Sequence, residues 1–228
     1  MLTNPSGPAV LNTTTETLTV TKLPVHITRA QVLALLHDHD RMITMNPLVT
    51  EHHLQPASMS ASFFKNELPE HKPQVKDGVE VPIPIYSITD DMSGGSANAG
   101  TAGEGEEQAA SGGSWRGGWA KRFIPDAITY NAAIQNREDG MLTITHAPMG
   151  VHSTTTWLVK DAEDGSGGLV LEERGKVSSN RMLMGFIKTT LQDSHDKLVK
   201  DFVAVLEREA AKFSEATTTA SAQKPVRS

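Results

Sequence analysis

Three side chains stand where acid–base chemistry would need them. Tyr130, His146 and Glu173 fall on the same period-2 alternation as the apolar residues of neighbouring strand-like segments. A hydroxyl, an imidazole and a carboxylate turned into an interior could orient a carbonyl or shuttle a proton, with desolvation adjusting their pKa values. A register change of one residue would turn each outward, and inward-pointing groups can equally satisfy one another or the backbone. Other chemistries are missing. Cysteine is absent, which removes disulfides, thiolate catalysis and cysteine-based zinc or iron–sulfur sites together. His37 and His39 lie two apart on a predicted helix, hence on different faces, whereas chelation from one helix wants spacings of three or four. His52 and His53 point to opposite faces of a predicted strand, and His195 sits on a helical stripe that reads as core. No metal and no cofactor is expected. There is no Gly-x-Ser-x-Gly elbow, and the Gly run from Gly94 to Gly118 follows no buried strand and opens no patterned helix, so it is no phosphate cradle.

The elements that must position these groups begin with Leu18 and Val20 alternating with Thr17, Thr19 and Thr21, a half-buried strand ended by Pro24. Thr28 and Gln31 form a capping box, flanked by the staple pair Ile27 and Val32, and predict a helix with Val32, Leu33, Leu35, Leu36 and His39 as its buried stripe. Asn46-Pro47 stops it. Leu48 to Leu54 is the next strand, whose buried face the pattern leaves open. Pro56 to Gly78 reads as a long loop anchored by Phe63 and Phe64, and Pro82 with Pro84 confines the following strand to a sheet edge or a strand start. From Ser93 to Gly118 the composition is too poor in branched apolar residues to offset its ordering entropy, which marks an insertion.

The clearest pattern opens at Phe123 to Gln135, where Ile128, Tyr130, Ala132 and Ile134 alternate with polar residues, and Asp139-Gly140 signals a hairpin. Leu142, Ile144 and His146 continue one face, Ala147 to Gly150 turns the chain, and Val151, Ser153, Thr155, Trp157 and Val159 return. Glu163 to Gly168 makes another turn before Leu169, Leu171 and Glu173. Successive hairpins predict an antiparallel meander whose opposite, Thr-rich face meets water. After Asn180 the period becomes nearly four, with Ile187, Leu191, His195, Leu198, Phe202 and Leu206 on one stripe of a long amphipathic helix, the only element long enough to cover the apolar face.

The order strand, helices, antiparallel meander, long helix resembles the START and birch-pollen-allergen-type superfamily, also called SRPBCC or polyketide cyclase-like. Leu35-Leu36-His37-Asp38-His39, Asn46-Pro47-Leu48-Val49, Asp139-Gly140, Ala147-Pro148-Met149-Gly150 and Trp157 are similar to a filamentous-fungal family of unknown function within it. The resemblance implies an α+β helix-grip fold: a curved antiparallel sheet of about six or seven strands wrapped around the C-terminal helix, splayed at one end over a ligand cavity. The chain is expected to divide into a disordered N-terminal arm at 1–14, one helix-grip domain at 15–213 carrying the low-complexity insertion at 93–118, and a disordered polar tail at 214–228. The expected lining is Ile128, Ala132, Ile134, Leu142, Ile144, Thr155 and Trp157 from the sheet, with Met182, Met184, Phe186 and Ile187 from the helix. The same composition would make a filled core.

A formal charge of -6, with no dense Lys/Arg stripe, argues against nucleic acid and anionic membrane surfaces. The N-terminus lacks the basic start and apolar run of a signal peptide, and no apolar run approaches roughly 20 residues, so the expectation is a soluble cytoplasmic protein. Three functions follow: a module binding a small hydrophobic molecule such as a lipid or polyketide, a cyclase or dehydratase-type enzyme using Tyr130, His146 or Glu173 in the same cavity, and a co-chaperone-like interaction protein. Oligomeric state is not encoded in any of these signals.

Overall fold

Local sequence chemistry sets each end of the first helix. In the computed structural model, which describes residues 12–93, 125–165 and 167–222 apart from the side chains of 186, 189–196 and 213–222, Thr28 caps α1 (Arg29–Leu36) through the capping box with Gln31. Val32, Leu35 and Leu36 face the core. A second short helix, α2 (His39–Thr44), ends just before Asn46-Pro47. The expected insertion, all but its first residue, lies outside the described residues, as do 1–11 and 223–228.

Seven strands form one antiparallel sheet: β1 (Asn12–Lys22), β2 (Val49–Leu54), β5 (Ile85–Asp91), β6 (Ala127–Arg137), β7 (Gly140–Ala147), β8 (Val151–Asp161) and β9 (Leu169–Asn180), in the spatial order β1-β9-β8-β7-β6-β5-β2. β5 begins directly after Pro84, as the missing proline N–H groups require. Between β2 and β5 lie α3 (Ser60–Phe63) and a two-stranded hairpin, β3 (Val75–Lys76) with β4 (Val79–Glu80), turned at Asp77-Gly78 with positive φ of 52° and 79°. The long helix α4 (Arg181–Ala222) leaves β9 at Asn180, whose Oδ1 accepts the Met182 N–H at 2.9 Å. β1 thus starts before Thr15 and helical backbone runs beyond Phe213, so both expected domain limits fall inside elements. This is the helix-grip architecture.

Which face each residue occupies follows from one hairpin. β6 and β7 are joined by Glu138-Asp139 alone, with Arg137 opposite Gly140. Even-numbered residues of β6 therefore share a face with odd-numbered residues of β7: Ile134 lies beside Thr143 and Ala132 beside Thr145. Across β7–β8 and β8–β9 the parity is kept, so Met141, Trp157 and Glu173 stand in one row. Gly140 is needed for close approach rather than for the turn, since a Cβ there would sit 1.8 Å from the Trp157 carbonyl oxygen.

The inner face packs on the helices. Trp157 (4% exposed) stacks on Phe202 (0%) with ring centroids 6.5 Å apart, within a core that includes Val32, Leu36, Ile134, Met141, Val159 and Leu206. The outer face carries a second cluster, in which Leu142, Ile144 and Ala133 are covered by Phe63, Phe64 and Ile83 from the β2–β5 segment. The Phe pair is an anchor, as its sequence suggests, but onto the outside of the sheet. In β7 the expected faces are exchanged: Thr143 and Thr145, expected toward water, are on the inner face beside Thr155, while Leu18 and Val20 of β1 are 61% and 54% exposed outside.

Candidate functional site

Two places gather functional groups. The first lies on the inner face beside the Trp157–Phe202 core. There, one row runs Ile134, Thr143, Thr155, Gly175, Thr17 and the next Ala132, Thr145, Ser153, Val177, Thr15. Thr143, Thr145, Ser153 and Thr155 belong to the central strands yet stay only half-buried. Side chains this deep in a sheet are normally sealed by their cover, but these four hydroxyl-bearing ones keep part of their surface open. Gly175 is buried because the Thr17 side chain lies over it, so close that a Cβ added there would meet Thr17 Oγ1 at 2.5 Å. α4 runs against β9 and β1, with Met184 buried and Ile187 half-buried.

At one end of this face Tyr130 donates its hydroxyl proton to Asp90 Oδ1 at 3.3 Å. Burial pushes the Asp90 carboxyl up to about 6, with the Tyr130 hydrogen bond holding it partly back. Burial first, then the Asp90 charge, drives the Tyr130 hydroxyl well above its ordinary value. A carboxyl that titrates near neutrality is suited to moving protons. Asp90 was not among the expected site residues, although Tyr86, Ile88 and Asp90 alternate in β5 just as Ile128, Tyr130 and Ala132 do in β6.

The expected triad is not assembled. Glu173 is buried on the inner face in the Trp157 row, whereas Tyr130 lies in the row of Ala147, Val151 and Ser179. That separates them by three strand spacings and six residues along the strands, roughly 14 Å by 20 Å. His146 is on the outer face altogether, because the two-residue turn reverses the parity assumed for β7. Leu142 and Ile144 are corrected for the same reason: they pack under Phe63 and Phe64, away from α4. Met182 is 70% exposed in the first turn of α4, before the helix meets the sheet, and lines nothing. Ala132, Ile134 and Trp157 are buried in the helix-side core, while Ile128 and Thr155 are half-buried on that face. The side chains of Phe186 and His195 lie outside the described residues. His37 and His39 are structural: His37 Nε2 meets the Gly140 carbonyl at 2.9 Å, and His39 bridges Tyr86 at 3.2 Å and Asn136 at 2.7 Å.

The second place is outside. His146 and His152 face each other across the β7–β8 hairpin, and both Nε2 atoms reach Glu67 Oε1, at 2.7 and 2.9 Å. His71 Nδ1 is 3.5 Å from Glu67 Oε2, and the Glu67 side chain is only 6% exposed. Burial alone would raise the Glu67 carboxyl; the two imidazole hydrogen bonds and their charges outweigh it and hold the group below its ordinary value. The sequence expectation of no metal rested on pairs within one element, and this constellation draws on three. An open outer groove of about 430 Å³ among Glu16, Leu18, Thr154, Thr156, Arg174 and Lys176 is a surface depression crossed by the Lys176–Glu16 ion pair at 3.4 Å.

Among solved structures, the protein is similar to the di-domain ARO/CYC StfQ from the steffimycin biosynthetic pathway, with TM-score 0.51 and 10% identity over 87% of this chain and 52% of that one. The chain thus spans about half of StfQ's length. It is also similar to the Zhui aromatase/cyclase from Streptomyces sp. R1128 (TM-score 0.47, 9% identity, 87% of this chain, 95% of that one) and to Ara h 8.0201 (TM-score 0.44, 7% identity, 85% and 99%). At 10% identity the StfQ likeness establishes the shared fold. No curated protein matches the sequence, and no helix among the described residues is long and apolar enough to cross a membrane. The match that spans residues 12–208, the whole of the sheet and most of α4, places the chain in the family described as Domain of unknown function (DUF7053).

Proposed function

We propose that this protein binds a small, partly apolar, oxygenated molecule in a hydroxyl-lined trough between the inner face of the sheet and α4. The observation that carries this reading is the half-exposure of Thr143, Thr145, Ser153 and Thr155 on the central strands, beside a Trp157–Phe202 core that is closed. Apolar walls would supply most of the affinity, at roughly 25 cal/mol per Å² buried. The hydroxyls would hold oxygen atoms of the ligand and select its orientation. A lipid or polyketide meets that description, and the fold shared with StfQ, an ARO/CYC from the steffimycin biosynthetic pathway, supports it.

Native mass spectrometry of gently purified protein, together with titration of an apolar fluorescent probe, tests the reading. The wild type is expected to carry or take up a small molecule, and Thr155→Trp, which fills the trough, to lose it while keeping its circular dichroism. Unchanged probe uptake in Thr155→Trp overturns the proposal.

A second reading, turnover of the bound molecule, is favoured by Asp90. Its carboxyl, at about 6 and bonded to Tyr130, would act as the acid–base group on the same face. Asp90→Asn is then expected to bind the molecule but not convert it.

A further inference from the structure

Outside the trough, Glu67, His146 and His152 present one carboxylate oxygen and two imidazole nitrogens whose ligand atoms all lie within 4.8 Å of one another. Each is held from a different part of the fold. His146 comes from β7 and His152 from the facing position of β8, so the sheet register fixes their separation. Phe63 stacks on the His146 ring at 4.1 Å and 9°, setting its plane. Glu67 is carried by the loop anchored through Phe63 and Phe64 and is almost wholly buried. Both imidazoles converge on the same oxygen, Glu67 Oε1, leaving Oε2 to face His71. His71 Nδ1 is itself buried and has no hydrogen-bond partner.

From this geometry we infer that Glu67, His146 and His152 form a binding site for a first-row divalent cation, zinc foremost, with His71 beside the second carboxylate oxygen. Two imidazoles and one carboxylate are a donor set for zinc and its neighbours, with bonds of about 2.0–2.2 Å. Magnesium and calcium, which want oxygen ligands, are excluded by the same set. An ion would replace the two N–H hydrogens that now point at Oε1, with only a small opening of the triangle. His146 and His152 are 36% and 41% exposed, so the remaining coordination positions face solvent and can take water or a further ligand. Holding the β2–β5 loop to the β7–β8 hairpin, the ion would also clip the outer cover in place.

The test uses the full chain, with zinc measured by competition against a chromogenic chelator and cobalt(II) by its visible absorption bands. One ion per chain is expected, with tetrahedral-type cobalt bands and no competition from magnesium. His152→Gln and Glu67→Gln should each weaken zinc binding by at least the roughly 10–100-fold that loss of even an outer-shell partner costs. His53→Gln, an exposed histidine paired with Glu51 elsewhere on the outer face, should leave it unchanged. Should Glu67→Gln fail to fold, the more exposed His152→Gln still decides the matter. Wild-type protein that binds zinc no more tightly than His152→Gln, or a loss in His53→Gln as large, overturns the site. Neither result bears on the trough, which lies on the other face.

Discussion

The two faces of the sheet are both covered, and by different physics. On the inner face, α1 and α4 bring apolar stripes against Trp157, Met141 and Ile134, and the seal is made of carbon. On the outer face a loop with little regular structure does the covering, through two phenylalanines and a carboxylate clasped by imidazoles. The inner cover is extensive yet leaves hydroxyls half-exposed in the middle of the sheet; the outer one is small and brings ionisable groups together. Burying a carboxylate costs several kcal/mol unless its partners are in place. Glu67 meets that condition through His146 and His152, whereas the hydroxyl rows on the inner face stay partly open.

That contrast can be broken most severely at the inner seal. Phe202→Ala should cost about 4 kcal/mol in urea unfolding, since Phe202 is fully buried against Trp157 and the helices cannot collapse into the gap. A loss under about 1 kcal/mol would mean that the helix side is loosely packed along its whole length. Leu142→Ala comes next, at about 2.5 kcal/mol, because the residue is 2% exposed beneath a loop that can partly follow the truncation. It should leave uptake of an apolar probe unaltered. Enhanced uptake would place Leu142 in the ligand space and reverse the assignment of faces.

The smallest effect sharpens the comparison through pH. Asp90 titrates at about 6 in the folded chain against an ordinary value of 3.8, so the folded protein keeps a proton that the unfolded chain releases. Stability therefore falls as pH rises from about 3.8 through about 6, and the whole penalty stands above that. Asp90→Asn should raise stability by on the order of 2 kcal/mol at pH 8 and hardly at all near pH 3.5, as read from denaturation midpoints. Equal effects at both pH values would mean that Asp90 is solvated in the folded state.

Much of the architecture was legible without coordinates. The Thr28–Gln31 capping box, the stop at Asn46-Pro47, the strand start after Pro84, the hairpins and the change of period at Asn180 are all local, each fixed by residues within a few positions of one another. Tyr130 and Thr155 face the helix side, each sharing its face with the other residues of the same parity in its strand. The candidate sites fared worse. Asp90 sits near the end of a strand whose start is set by prolines, and Glu67 is one acidic residue among several in a loop.

What the sequence determined by itself was the list and order of elements, down to their caps and turns, because hydrogen-bonding geometry and side-chain periodicity act over a few residues. Only the tertiary structure decided which side of the meander is greasy. Period two states that faces alternate but not how one strand's odd positions align with the next, and the two residues Glu138 and Asp139 between β6 and β7 moved Leu142, Ile144 and His146 to the far side. The meeting of Glu67 with His146 and His152 likewise belongs to the fold alone: 79 and 85 residues separate them along the chain, and only strand register and the Phe63–Phe64 anchor bring them within hydrogen-bonding distance.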